Sequence, residues 1–291
     1  MNIQKNVNLK QFTTVKSNTV ASLFTTVTTR DEFIEAFKYA KEHGLQTMII
    51  GGGSNTVFAT EKIDKLVIRN QFFNFNVLSE TETTADIEVS AGLPVSMLVQ
   101  KTIERGFEGF EYHQGLPGSV GGALYMNSKW TKPLIYFGDS LISATLIDKE
   151  GNEKKVDRAY FEFAYDYSTL QKTHEVLIEA AFRLNKTDKD ILKHRATEAI
   201  EYRKKTQPFG VASSGCVFQN INGQSAGELI DKAGLKGTRV GKFVVSEIHA
   251  NFIINEGDDN MENLKKLIAL VKETVKAKFG VELKEEVRII E

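Results

Sequence analysis

Five short stretches of this 291-residue chain concentrate residues that can do chemistry. MIIGGGSNTVF, Met48 to Phe58, runs an apolar segment straight into Gly51, Gly52 and Gly53, followed by Ser54 and Asn55. Consecutive glycines let backbone N–H groups converge on one point and let an anion approach closely. GLPGSVGGALYMN, Gly115 to Asn127, repeats the composition with Gly115, Pro117, Gly118, Ser119, Gly121 and Gly122. Its amides suit a diphosphate. A tight turn would also explain either loop alone, but two such loops double the ordering cost. The spaced G-x-G-x-x-G that opens a long helix in dinucleotide folds is absent. TVFATEKID follows the first loop without an amphipathic helical pattern. The loops therefore read as phosphate cradles outside that fold.

The other three stretches carry reactive side chains. SSGCVFQN holds Cys216, the single cysteine, between a glycine and an apolar run. A lone cysteine is more often a small buried hydrophobe than a reagent. In VSEIHANFIIN, His249 and Asn251 alternate with apolar residues and read as strand positions facing a cleft. A structural histidine is the plainer alternative. KEEVRII brings Glu285, Glu286 and Arg288 near the chain end, where a solvated strand edge is the default. No group of His, Cys and carboxylates has metal-ligand spacing, so no metal site is expected.

The elements that must position these residues are α+β. SLFTTV reads as a strand and TRDEFIEAFKYAKEHG as a helix, with Thr29 and Glu32 at capping-box spacing and Gly44 at its end. LQTMII completes a β-α-β unit. KLVIRN, FNFNVLS, TADIEVSAG, SATLIDKEG and EVLIEAAFRL read as short strands, interrupted by the helical LPVSMLVQKTIERG. The polar segment from about 186 to Pro208 reads as a helix at a domain boundary. DDNMENLKKLIALVKETVKAKFG places Leu264, Leu267, Ile268, Val271 and Val275 on one stripe. VELKEEVRII then alternates as a strand does.

Composition sets outer limits. Hydrophobic residues make up 41% and charged residues 26%, ordinary for a folded globular chain. A formal net charge of −1 gives no field to draw nucleic acid or an anionic membrane. One cysteine rules out an internal disulfide and points to a reducing compartment. MNIQKNVNLKQF lacks the apolar core of a signal peptide, and no apolar run spans a bilayer. The expected setting is the cytoplasm, without nucleic-acid or membrane partners.

Together, IIGGGSN, GFEGFEYHQGLPGSVGGALYMN, SSGCVFQN, AGELIDKAGLKG, VSEIHANFIIN and FGVELKEEVRII resemble the UDP-N-acetylenolpyruvoylglucosamine reductase (MurB) family, in its order and spacing. The resemblance runs from about Thr14 to the C-terminus and is closest to the family's shorter type. It implies a two-lobed FAD-binding domain of the PCMH/vanillyl-alcohol-oxidase type followed by an α+β substrate-binding domain. On that reading residues 1–15 are an N-terminal segment, 16–185 the FAD-binding domain (lobes about 16–70 and 71–185), 186–205 a helical linker and 206–291 the substrate domain. FAD would bind non-covalently through Gly51–Asn55 and Gly115–Gly122. NADPH would be the co-substrate, and the substrate a UDP-sugar enolpyruvyl ether of peptidoglycan precursor synthesis. A monomer suffices.

The family's motifs carry roles onto particular positions. Its proton donor, usually serine, falls on Cys216, and its catalytic glutamate on Glu286. A thiol, with a reference pKa of about 8.5, remains mostly protonated near neutrality and suits proton donation. Asn220, His249 and Asn251, with Arg203, Lys204 and Lys205, fall among the substrate-binding positions. Two departures stand out. The family's YRxS is YDYS here, so Asp166 occupies the place of an arginine that steadies the enolate. Either another cation substitutes, with Lys129 and the 203–205 run as candidates, or the activity is impaired. The family's FRxGG is VKSNT here, Val15 to Thr19, so that contact with the cofactor must be made differently. A flavin oxidase of the same fold, or an impaired flavin- or nucleotide-binding paralogue, are the alternatives.

Overall fold

The computed structural model describes residues 1–221, 223–257 and 260–291. The chain forms two compact units, each drawn from separate stretches of sequence. The first comprises Met1–Gln4, Leu23–Gly52 and Lys65–Tyr202; the second comprises Lys5–Ser22, Gly53–Asp64 and Arg203–Glu291.

The first unit has two apolar cores. In one, helix Arg30–Glu42 turns Phe33, Ala36, Phe37 and Ala40 onto Val27, Leu66 and Ile68. Thr29 caps the helix by accepting from the Glu32 amide, and Gly44 takes the left-handed backbone that ends it. Strand Thr47–Ile50 runs parallel to Lys62–Asn70, from Thr47 opposite Leu66 to Ile50 opposite Arg69. The β-α-β reading holds, and the crossover leaves the end of this strand at the glycine loop. In the other core an antiparallel sheet runs in the order Glu153–Asp157, Leu141–Ile147, Val176–Lys186, Thr84–Ser90, Phe75–Glu80. Helix Val95–Arg105 and the short helix Val120–Tyr125, called the loop helix below, supply Leu98, Val99, Val120, Ala123 and Leu124 to its buried face.

The second unit has an antiparallel sheet ordered Ser213–Cys216, Phe252–Asn255, Phe243–Val245, Arg239–Val240. Helices Ala226–Lys232 and Met261–Phe279 belong to the same core. The expected stripe of Leu264, Leu267, Ile268, Val271 and Val275 is buried there, and Gly280 ends the longer helix with φ +70°. Asp258 and Asp259, which open that expected segment, lie outside the described residues. Val15 and Val57, far away in sequence, belong to the same core.

Two sequence expectations need correction. VELKEEVRII is not one strand: only Arg288–Ile290 is, pairing parallel to Thr56–Phe58. Its alternation reflects Leu283 and Val287 packing into the core from irregular backbone. His249 and Asn251 are not strand residues either, but lie in the turn before strand Phe252–Asn255. Of the alternating apolar residues there, Ala250 and Phe252 are buried while Ile248 is exposed.

Candidate active site

In the first unit the two glycine loops touch. A Cβ on Gly52 would sit 2.7 Å from the Gly118 Cα, and one on Gly51 would sit 2.2 Å from the Ser119 Oγ. Both distances are too short for real atoms; at Gly52 the obstacle is backbone and requires glycine, whereas at Gly51 the Ser119 side chain would have to give way. Gly52 and Gly122 nevertheless remain exposed. A cradle of close-packed, side-chain-free backbone with an open face fits a diphosphate held by amides.

The loop residues differ in what they do. Ser119 caps the loop helix, accepting from the Gly122 amide at 3.4 Å. The Gly121 amide donates to the Ala91 carbonyl at 2.8 Å, and a Cβ there would lie 3.0 Å from the Ala91 Cβ. Glycine at 121 thus serves packing of the loop helix against the sheet. Gly115 and Gly118 have φ of +80° and +112°, while Pro117 is exposed between them.

The loop continues into the second unit at Gly53, whose φ is +61° and whose Cβ would meet the Phe12 carbonyl at 2.0 Å. Its own carbonyl accepts from the Thr14 amide at 3.1 Å. In VKSNT, Ser17 and Thr19, the latter in place of a family glycine, tie this region together. The Ser17 Oγ accepts from the Phe58 amide at 3.2 Å, and the Thr19 Oγ1 donates to the Thr60 carbonyl at 2.6 Å. The half-buried Ser54 follows. Asn55 turns its side-chain Nδ2 to the Glu286 carbonyl at 3.3 Å, and its carbonyl accepts from the Arg288 amide at 2.9 Å.

Those bonds tie Asn55 to the segment of the second unit that carries Glu286. The Glu286 amide donates to the Val217 carbonyl at 2.8 Å, next along the chain from Cys216. Cys216, at the end of its strand, pairs with Phe252. Both Cys216 and Glu286 are half-buried. The neighbouring Glu285 is occupied otherwise, by an ion pair with Lys272 at 2.7 Å.

Among the basic residues, Arg203 is buried, whereas Lys204 and Lys205 are exposed. Burial lowers the Arg203 guanidinium from its ordinary value, and the charge of Cys216 works against that shift. An arginine remains charged under such a shift, so Arg203 places a cation in the surroundings of Cys216. The Asn220 Oδ1 accepts from the Ala226 amide at 3.0 Å, just before helix Ala226–Lys232. The Asn251 side chain is bound to both backbone groups of Phe218, at 2.8 and 2.9 Å, and so fixes the segment after Cys216. His249 lies against Gly227 and stacks edge-on to Phe252 with ring centroids 5.0 Å apart. Its Nδ1 accepts from the Asn251 amide at 3.3 Å, and burial lowers its pKa.

Back in the first unit, Asp166 is buried and bonded to Lys129, Oδ1 to Nζ, at 2.9 Å. The Lys129 ammonium also lies 3.6 Å from the centroid of the Tyr165 ring. Of the two candidate replacements for the family arginine, Lys129 is the one bonded to this position. No signal in the sequence pairs residues 129 and 166, which are 37 apart. Nor does any signal mark Arg203 as the buried member of its run, or Asn55 as the partner of Glu286. Among the described residues no cluster of metal-ligating side chains occurs.

The profile for the UDP-N-acetylenolpyruvoylglucosamine reductase C-terminal domain matches residues 207–290, and an FAD binding domain profile matches residues 21–157. A UDP-N-acetylenolpyruvoylglucosamine reductase of Protochlamydia amoebophila is 37% identical over 287 residues, covering 99% of this chain and 93% of the relative. The chain belongs to the UDP-N-acetylenolpyruvoylglucosamine reductase family. The crystal structure of the family member from Thermus caldophilus matches with a TM-score of 0.84 at 29% identity, covering 100% of both chains. A crystal structure of p-cresol methylhydroxylase matches with a TM-score of 0.55 at 10% identity, covering 94% of this chain and 84% of that one, and shares the fold alone. The fold is α+β, with an FAD-binding domain of the PCMH/vanillyl-alcohol-oxidase type.

Proposed function

We propose that this chain reduces UDP-N-acetylglucosamine enolpyruvate to UDP-N-acetylmuramate, with FAD as cofactor and NADPH as reductant, in peptidoglycan precursor synthesis. The observation that carries this reading is family membership over 99% of the chain. The reaction adds a hydride equivalent to the terminal vinyl carbon and a proton to its neighbour, while NADPH becomes NADP⁺. Bound FAD would supply the two-electron chemistry that links NADPH to the vinyl carbon.

The chain's own residues supply position, charge and the proton. The Gly51–Asn55 and Gly115–Gly122 loops are assigned to the cofactor diphosphate, with exposed Gly52 and Gly122 as the closest approach. Cys216 donates its thiol proton to the substrate carbon, and the buried Arg203 compensates the thiolate left behind. Glu286 is assigned to the same step, on the substrate side. Asn220 and His249 belong to the UDP-sugar side, whereas Asn251 acts through the backbone that carries Cys216. A monomer in the cytoplasm meets these needs. No helix among the described residues is long and apolar enough to cross a membrane.

Purified protein tests the reading directly. It is expected to be yellow, to bleach with NADPH and to regain colour on addition of the enolpyruvyl substrate. Colour without substrate-driven reoxidation would instead indicate an impaired paralogue. Oxygen uptake with an alcohol and no NADPH would indicate an oxidase.

A further inference from the structure

The Lys129–Asp166 pair concentrates several unfavourable features at one place. Asp166 has φ +51°, in the left-handed region that few non-glycine residues adopt, aspartate more readily than most. It is 5% exposed, and its Oδ2 makes no hydrogen bond among the described residues. A buried ion pair contributes little net stability to a fold, because desolvation opposes the Coulomb gain. Strain and desolvation gathered on one residue point to a role beyond folding.

The surroundings fix the pair to the cofactor loop. The loop helix starts at Ser119 and rises about 9 Å over its six residues. The chain then passes Asn127 to reach Lys129. The Asn127 Nδ2 donates to the Ala164 carbonyl at 3.1 Å, and the Ser168 Oγ to the Tyr125 carbonyl at 2.8 Å. The Gln171 Nε2 joins the Tyr125 and Asp166 carbonyls at 3.0 and 2.9 Å. Ala164 and Tyr167 exchange backbone bonds, so Tyr165 and Asp166 form the tip of one tight turn. Two consecutive side chains of that turn grip one ammonium, by ring face and by carboxylate.

The pair is also a directed dipole. The Lys129 side chain is 17% exposed and that of Asp166 only 5%, so the lysine is the more accessible member. An anion that reaches the pair approaches from the lysine side, and the aspartate compensates the cost of burying the lysine's charge.

We propose that Lys129, held by Asp166 as a positioning residue, is the cation that receives the carboxylate of the enolpyruvyl substrate and the negative charge that develops next to it. This assignment rests on the reductase reading above.

The test uses FAD-loaded protein and two readouts. Substrate binding without NADPH is followed by the flavin difference spectrum and by calorimetry. Reduction by NADPH and reoxidation by substrate are timed separately. Lys129→Met is expected to weaken substrate binding about tenfold or more and to slow reoxidation about a hundredfold, with a far smaller effect on reduction. Lys129→Arg is expected to recover most of the binding. Because Lys129→Met leaves Asp166 without its counter-ion, the double variant Lys129→Met/Asp166→Leu separates folding from function. It is expected to regain thermal stability while substrate binding stays weak. Lys129→Met/Asp166→Arg, which returns a cation to the turn, is expected to bind more tightly than the leucine double variant. Wild-type binding by Lys129→Met/Asp166→Leu overturns the assignment while leaving the reductase reading intact. If wild-type protein itself shows no substrate-induced spectral change, the reductase reading falls and takes this assignment with it.

Discussion

Cys216 and His249 lie in one unit, and their different surroundings give them different tests. Cys216 is half-buried one residue from the backbone bond that holds Glu286. If its thiol is the proton donor, Cys216→Ser keeps most substrate-driven reoxidation. Cys216→Ala loses it by about 10²–10⁴-fold, the range for a general acid. In both variants NADPH still bleaches the flavin. Single-turnover absorbance with each substrate in turn makes the comparison, and an alanine variant with wild-type reoxidation removes Cys216 from the chemistry. His249 instead affects stability. Burial lowers its pKa in the folded state, so the unfolded chain takes up the proton first as pH falls. Its contribution is complete above the ordinary histidine value and is lost as pH falls towards the lowered one. Unfolding free energy measured from about pH 7 to 5 should therefore decline, and His249→Gln should flatten that decline. An unchanged slope would count against a buried neutral imidazole.

At the scale of elements, the loops are held by packing that a single methyl group would disturb. Gly52→Ala places a Cβ against the Gly118 backbone, which cannot rotate away. It is expected to cost about 1–3 kcal/mol and to release flavin during purification. Gly122→Ala is the contrasting case, since its Cβ meets only the Ser119 Oγ at 3.7 Å. Alanine inside a helix gains about 0.5–1 kcal/mol over glycine, so the thermal midpoint should hold or rise. Any loss of flavin from that variant then reports contact with the cofactor rather than damage to the fold. The glycines themselves were plain in the sequence, and so were the capped helix before them and the apolar stripe of Met261–Phe279. What each glycine is for was not plain. Gly121 lies on Ala91 and Gly53 on the Phe12 carbonyl, and such neighbours leave no local pattern. VELKEEVRII misled for a related reason: Leu283 and Val287, four residues apart, meet the core from irregular backbone, and strand pairing is confined to Arg288–Ile290.

At the scale of the molecule, the second unit draws on three separate stretches of chain. A linear reading locates a boundary near residue 186 because composition changes there. It does not show that residues 5–22 and 53–64 complete the C-terminal unit, because the valines, short strand and hydrogen bonds by which they join it are contacts between segments far apart in sequence. A fragment of residues 203–291 alone would lack Val15, Val57 and the Thr56–Phe58 strand that pairs with Arg288–Ile290. Losing two buried valines removes about 3 kcal/mol or more of apolar burial, a large share of a small unit's stability. The fragment is therefore expected to be unfolded or molten by circular dichroism and proteolysis. A cooperative melting transition would show that the other two segments are dispensable. Pairs such as Lys129 with Asp166 were hidden for the same reason: only the folded chain brings them together.

Asn55 carries a consequence for anyone re-engineering this protein towards another flavin. Its side chain ends on the carbonyl of Glu286, so a library that randomises the whole GGGSN stretch also perturbs the backbone that carries Glu286. Variants selected for altered cofactor preference would then arrive with damaged turnover and be discarded for the wrong reason. Holding Asn55 fixed, together with Gly51, Gly52 and Gly53, whose Cβ atoms would clash, confines variation to Ser54 and separates the two traits.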